Sequence, residues 1–351
     1  MTNVQRHQYH TLDGMRGIAA LLIVLFHTSN YFAGLFFPES YLAVDLFFVL
    51  SGFVIAKAYT QRLDEGVSTY SFIRIRLIRL YPLYAMGTLL GIILAIASVI
   101  AGSNVANWSI TTLLLTSILA MLVLPSPLTP QLYAINAPSW SLLFELLANA
   151  LYAMFYRLLS IKKLILITCL AAIGLSICAV KFGHLDLGYQ WSSAVGGIPR
   201  VTYSFCMGLL IAAYRDQSPC LRLPSWCVLA LCISLLCISP TANLRPLYDL
   251  ATILFLFPIL VLIGSRSESD KKWIKTSYAT LGSISYGLYV LHVPAALLID
   301  IACKKLLRKE FAAYAPISGI ILLLTLVLII WWLDRVYDQP IRKKLTQLLK
   351  Y

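Results

Sequence analysis

Apolar residues gather into ten runs, at about 15–36, 41–59, 77–100, 140–157, 164–181, 198–214, 224–239, 248–264, 279–300 and 314–333. A helix needs about 20 mostly apolar residues to cross a bilayer, or about 17 at the lower limit. The pattern therefore predicts an all-α polytopic membrane protein with ten transmembrane helices in one bundle. An eleventh apolar stretch, 108–124, is about 17 residues long and is followed by Pro125, Pro127, Pro130 and Pro138. Those prolines break helices, so 108–124 is expected to be re-entrant or peripheral. No repeat, low-complexity tract or soluble appendage interrupts the pattern. Residues 1–351 are expected to form a single integral-membrane domain with no fused soluble domain. Met1 to Leu12 is polar and the run after it is long enough to span, so no cleavable signal peptide is expected.

Composition agrees with the pattern. The chain is 60% hydrophobic and 12% charged, with mean hydropathy +0.81, whereas soluble domains are about 45–50% apolar and 25% charged. The net charge of +13 matters through its placement, because Lys and Arg gather on the cytoplasmic side of membrane proteins. With an inside N-terminus and ten spans, 21 of the 28 Lys and Arg residues, from Arg6 to Lys350, fall on the cytoplasmic side. The other seven are Lys181, Arg200, Arg245, Lys304, Lys305, Arg308 and Lys309. An eleventh span at 108–124 would divide the cations 14 against 14. Ten spans with both termini cytoplasmic is therefore the expected topology. The cluster Lys304–Lys309 would then lie outside, as a solvated loop or against an anionic substrate or lipid head group. Basic and aromatic residues do not interleave on any polar surface, so nucleic acid is not an expected partner. The eight cysteines, Cys169, Cys178, Cys206, Cys220, Cys227, Cys232, Cys237 and Cys303, form no CxxC. They read as small core residues rather than metal ligands or disulfides.

Polar residues inside the apolar runs are the candidates for chemistry, since ionisable groups in a membrane are costly. Arg16 and His27 are eleven positions apart, about three helical turns and roughly 16 Å. They share a face, with Arg16 at a membrane surface and His27 near the middle. The second run opens Asp45-Leu-Phe-Phe-Val-Leu-Ser51-Gly52-Phe53. Ser51 and Gly52 suit close helix packing, while Asp45 wants either a charged partner or an N-cap role. Arg76 and Arg79 lie one turn apart at the entrance of the third run. There they suit a phosphate-bearing ligand or anchor the helix to lipid phosphates. Trp140 fits an interfacial aromatic belt. Glu145 lies about one turn further in, where it could hold a histidine or an arginine, or accept a proton. Late in the chain Ser285, Tyr289 and His292 recur at helical spacing and give one polar stripe.

These motifs, in this order, resemble the acyltransferase-3 family of membrane acyltransferases. They are Arg16-x10-His27, Asp45-Leu-Phe-Phe-Val-Leu-Ser-Gly-Phe53, Arg76-x-x-Arg79-Leu-Tyr-Pro, Trp140-Ser-Leu-x-x-Glu145 and Ser285-Tyr-Gly-x-Tyr-x-x-His292. The resemblance covers nearly the whole chain and is nearest to the stand-alone O-antigen O-acetyltransferases. It implies a bacterial inner-membrane enzyme that moves an acyl group, usually acetyl from cytoplasmic acetyl-CoA, onto a sugar hydroxyl of a cell-surface glycan. Acetyl-CoA would be a co-substrate, with no permanently bound cofactor. The acceptor would be a lipid-linked or surface polysaccharide such as O-antigen, an exopolysaccharide or a small glycoside. In that family the histidine of Arg-x10-His is regarded as catalytic, with the arginine essential; those roles fall on His27 and Arg16, and the arginine pair on Arg76 and Arg79.

Acyl transfer from a thioester to an alcohol needs a base, an oxyanion stabiliser and a held donor. His27 is the expected base. Glu145 or Asp45 is the expected acid orienting it, with Arg16, Arg76 and Arg79 at the donor phosphates. Ser51, Trp140, Ser285, Tyr289 and His292 are expected to line the cavity. Direct transfer and an acyl-His27 relay both satisfy this scheme. A proton-coupled transporter also uses intramembrane His, Asp and Glu, but the paired broken helices of such folds are not legible here. An export subunit would put its polar and aromatic surface in the outer loops, not an arginine pair inside.

Overall fold

The structure, a computed structural model, describes residues 8–102, 108–217 and 221–348. Arg6, Cys220 and Lys350, and the first seven residues of the polar leader, lie outside them. Among the described residues thirteen α-helices follow one another: α1 His10–His27, α2 Ala43–Asp64, α3 Thr69–Ile100, α4 Ile110–Met121, α5 Ser139–Phe155, α6 Ile161–Phe182 and α7 Ala194–Tyr214. They continue with α8 Ser225–Cys237, α9 Arg245–Ala251, α10 Phe257–Gly264, α11 Lys272–Leu307, α12 Ile317–Leu333 and α13 Gln339–Leu348. π-Helical turns, Thr252–Leu256 and Asp334–Asp338, join α9 to α10 and α12 to α13. Among the described residues there is no sheet, only an isolated bridge between Gln131 and Gln190.

Each predicted apolar run coincides with a helix or a joined pair. Among the described residues seven helical segments are long and apolar enough, by length and composition, to cross a membrane. They comprise Pro38–Asp64, Thr69–Ile100, Ile161–Phe182, Trp191–Tyr214, Arg245–Gly264, Lys272–Leu307 and Ile317–Leu348. Helices α1, α5 and α8 are shorter, at 18, 17 and 13 residues. The surface between the ends is apolar, with exposed residues such as Ile93, Ile177, Ile259 and Leu328, as a bundle facing lipid requires. The chain is a multi-pass membrane protein.

The first run differs from its predicted bounds of 15–36. Helix α1 starts at His10 and stops at His27. Thr28 folds its hydroxyl back onto the Val24 carbonyl at 2.6 Å, and the chain tightens into a 3-10 turn at Ser29–Phe32 before Ala33 and Gly34 turn left-handed. His27 is therefore the last residue of a helix that ends inside the bundle. The 36-residue α11 continues past it.

Two helix pairs make the frame. Helix α1 packs along α11, and α2 along α7. Glycines set both contacts: a Cβ on Gly17 would collide with Leu281, and one on Gly52 or Gly208 with the facing backbone of Phe205 or Val49. Small residues allow this close approach where lipid supplies no hydrophobic drive between helices.

The 108–124 segment is the 12-residue α4, too short to span alone. It lies on α3 through Leu113 and Ala120. Its last carbonyls, of Ala120 and Met121, accept from Tyr84 and Tyr81 half-way along α3. The proline-rich stretch after it turns inward, where Asn136 Nδ2 donates to the Val290 carbonyl at 3.0 Å. Helix α5 then begins beside Tyr289 in the middle of the bundle. The stretch 108–124 is thus a short helix packed on α3 and followed by a proline-rich turn, not a helix long enough to span by itself.

Three of the seven cations that break the charge asymmetry are neutralised locally. Arg200 pairs with Asp45, Arg245 with Glu39 at 3.0 Å, and Lys304 with Asp300 at 3.1 Å and Glu310 at 3.3 Å. The seven described cysteines are unpaired thiols.

Candidate active site

Two imidazoles meet where α1 ends. His27 Nδ1 lies 3.1 Å from His292 Nε2 and 3.0 Å from the Ile23 carbonyl. His292 Nδ1 lies 2.9 Å from the Leu288 carbonyl. A carbonyl only accepts, so His292 Nδ1 carries the proton and its Nε2 presents a lone pair. Both neighbours of His27 Nδ1 are then acceptors, so that nitrogen also carries its proton. His27 Nε2 is left with a free lone pair. His292, Ile23 and Val24 are fully buried, whereas the His27 ring is accessible. The pair thus leaves one basic nitrogen on an exposed residue and buries the groups that fix it. The Asp186 carboxylate, in the loop between α6 and α7, lies within electrostatic reach of His27.

A row of polar side chains runs from this pair toward the end of the bundle where α1, α3 and α11 begin. Tyr289 lies one turn before His292, with ring centroids 6.4 Å apart. Its hydroxyl is 2.7 Å from Ser141 Oγ and 3.0 Å from the Pro138 carbonyl. One turn further along α5, Glu145 Oε1 accepts from Ser51 Oγ and from Arg76 Nη2, each at 2.8 Å. Arg16 and Arg79 act electrostatically on Arg76, and Glu145 acts on Arg16. Three guanidiniums therefore gather around one carboxylate, and Arg76 Nε is buried without a partner among the described residues. Excess positive charge with a spare donor is a chemistry that accepts phosphate.

The two expected acids do not orient His27. Asp45 is fully buried and bound by Arg200, whose Nη2 lies 2.5 Å and Nε 3.2 Å from its oxygens. Arg200 also donates to the Leu187 carbonyl at 2.6 Å. Asp45 sits in the first turn of α2 rather than at its N-cap, which is Leu42. Glu145 is committed to Arg76 and Ser51. The place an acid would take beside His27 is held by His292. Trp140 is not an interfacial belt residue either: it is buried, 5.3 Å from the Arg200 guanidinium, and roofed by Gly188, where a Cβ would strike its ring. Ser285 is buried and returns its hydroxyl to the Gly282 carbonyl at 2.8 Å, so of the predicted stripe only Tyr289 and His292 join the row. Ser51, expected to serve helix packing or to line the cavity, is a hydrogen-bond donor to Glu145.

The acyltransferase-domain family model matches residues 9–333, a span that holds the histidine pair, the row and the arginine cluster. The chain belongs to the acyltransferase-3 family. Protein 2 in the picA locus of Rhizobium radiobacter is 37% identical over 192 residues, covering 52% of this chain and all of that protein. Acyltransferase MdmB of Streptomyces mycarofaciens is 26% identical over 316 residues, covering 80% of this chain and 77% of that one. No solved structure matches the chain.

In this membrane acyltransferase two site residues escaped the sequence. Arg200 lies in a run otherwise apolar and was legible only as an exception to charge placement. Its partner Asp45 is 155 positions away. Asp186 lies in a short loop between helices, and nothing in its neighbours marks it.

Proposed function

We propose that this acyltransferase moves an acetyl group from cytoplasmic acetyl-CoA to a sugar hydroxyl of a cell-surface glycan, with lipopolysaccharide O-antigen the first acceptor to test. The observation that carries this reading is the accessible His27 Nε2, held as a base by His292, at one end of a polar row whose other end is an arginine cluster. The clustered cations, with most Lys and Arg on that end, support an inner-membrane protein with its arginines and both termini facing the cytoplasm.

The chemistry follows from the assigned protons. The acceptor hydroxyl gives its proton to His27 Nε2 as its oxygen attacks the thioester carbonyl, forming the C–O bond. The imidazolium is stabilised through its Nδ1–H by the His292 Nε2 lone pair and the Ile23 carbonyl, and at longer range by Asp186. Collapse of the tetrahedral intermediate breaks the C–S bond, and the thiolate recovers the proton from His27 Nε2. A positioned base contributes typically 10²–10⁴-fold. Arg16, Arg79 and the spare Nε of Arg76 would meet the phosphates of the donor.

The test is thiol release from acetyl-CoA by purified protein with and without an O-antigen acceptor, followed by mass and NMR analysis of the glycan. Acceptor-dependent release with one added acetyl per repeat supports the proposal. Release to water alone, or none with any glycan acceptor, contradicts it.

A further inference from the structure

The end of the bundle where α1 and α11 begin carries a second polar site, outside the row leading to His27. A cavity of about 440 Å³ lies between α11 and the α12–α13 junction, bounded by the start of α1. Lys272, Lys275, Thr276 and Thr280 line it from α11, Arg335 from the far wall and His10 from α1. Among the described residues neither lysine is in an ion pair. The Arg335 guanidinium is held 3.7 Å over the Trp331 ring. His10 Nδ1 is buried with no hydrogen-bond partner. Helices α1 and α11 both start here; the Thr11 amide of α1 is taken by Glu268, whereas α11 has no side-chain cap, so its first amides add to the positive field. Asp334 also lines the cavity, where Gln339 holds it at 2.8 Å and Arg342 at 3.3 Å, and Glu268, within electrostatic reach of Lys275, accepts from the Thr11 amide at 3.4 Å.

The cavity adjoins the arginine cluster. Asp13 packs on Gly282 beside the cavity wall, within electrostatic reach of His10, Arg16 and Arg79. Along α11, Lys275 precedes His292 by 17 positions, roughly 26 Å. A molecule touching both this cavity and His27 must be long, with its anionic groups at one end and its reactive carbon at the other.

We propose that this cavity is a phosphate-monoester site that seats the distal phosphate of the nucleotide end of the acyl donor, while Arg16 and Arg79 meet its diphosphate. The inference rests on the coenzyme A reading above and assigns Lys272, Lys275 and Arg335 to donor affinity rather than to chemistry. A phosphate monoester carries close to two charges at neutral pH, and two Lys with one Arg around one cavity suit it.

The test compares acetyl-CoA with acetyl-dephospho-CoA, which lacks that monoester, in the wild type and in Lys275→Gln/Arg335→Gln. The wild type should show a lower KM for acetyl-CoA, by about tenfold for two solvent-exposed ion pairs. The variant should lose that preference while its KM for acetyl-dephospho-CoA and its kcat stay at wild-type values. Equal effects on both donors, or no effect on either, overturn the site. If the wild type turns over no acetyl-CoA, the function fails separately, and binding of adenosine 3′,5′-bisphosphate decides the cavity. Binding that the variant loses supports the site, and no binding to the wild type overturns it. Nanodiscs of phosphatidylcholine with and without phosphatidylglycerol separate a lipid head group. A variant whose only defect is lost dependence on phosphatidylglycerol assigns the cavity to lipid and overturns the proposal.

Discussion

His27 Nδ1 and His292 Nε2 face each other at 3.1 Å, from residues 265 positions apart in the chain. The Leu288 carbonyl fixes the proton of His292, and His292 with Ile23 fixes that of His27. The second imidazole does for the first what a carboxylate does in a Ser-His-Asp triad, without placing a charge in the bundle.

Removing that support should lower turnover through tautomer choice. In His292→Ala, kcat is expected to fall about 10²-fold or more, with KM for the donor little changed. His292→Gln, whose amide oxygen can accept from His27, is expected to retain more activity than His292→Ala. Nitrogen-15 NMR of labelled histidine should show His27 protonated at Nδ1 in the wild type and a mixture of tautomers in His292→Ala. A single unchanged tautomer in that variant would assign His292 to packing alone.

Asp45 and Arg200 should behave as a structural clamp between α2, α7 and the loop at Leu187. Breaking a buried pair by removing one partner costs about 3–5 kcal/mol, whereas replacing both with apolar residues is often neutral. Arg200→Met is expected to lower thermal stability sharply, and Asp45→Leu/Arg200→Met to recover much of it. Melting curves of the purified variants check this. A single variant as stable as wild type but without activity would return Asp45 to the chemistry.

At the α2–α7 crossing, Gly208 faces the Val49 carbonyl with no room for a Cβ. Gly208→Val is expected to separate the helices at a cost of about 1–3 kcal/mol and to lower accumulation in the membrane. Gly34, left-handed with nothing within 4 Å, is the comparison: Gly34→Asn should be tolerated.

Much of this was legible in the chain. The apolar runs carry the helices because backbone amides in lipid must bond within their own segment, so hydropathy and helix coincide. Pro125–Pro138 after a 17-residue stretch marked where the short α4 ends. The end of α1 was not legible, because Tyr31, Phe32, Leu35 and Phe36 continue its apolar character while Thr28 and Gly34 end its geometry. His27, Arg76 and Glu145 stood out as polar groups in apolar surroundings. Their partners did not, since pairing is decided by helix packing. Glu145 meets Arg76 across 69 positions, Asp45 meets Arg200 rather than a histidine, and His292 takes the place expected of an acid.

The proposed role of His27 Nε2 is that of the base for acyl transfer. Its most direct test is the single-turnover rate of acetyl transfer from acetyl-CoA to acceptor by purified His27→Ala, with melting and donor binding measured on the same sample. A loss of about 10²–10⁴-fold is expected in a protein that melts and binds donor as the wild type does. A single-turnover rate equal to wild type would contradict it.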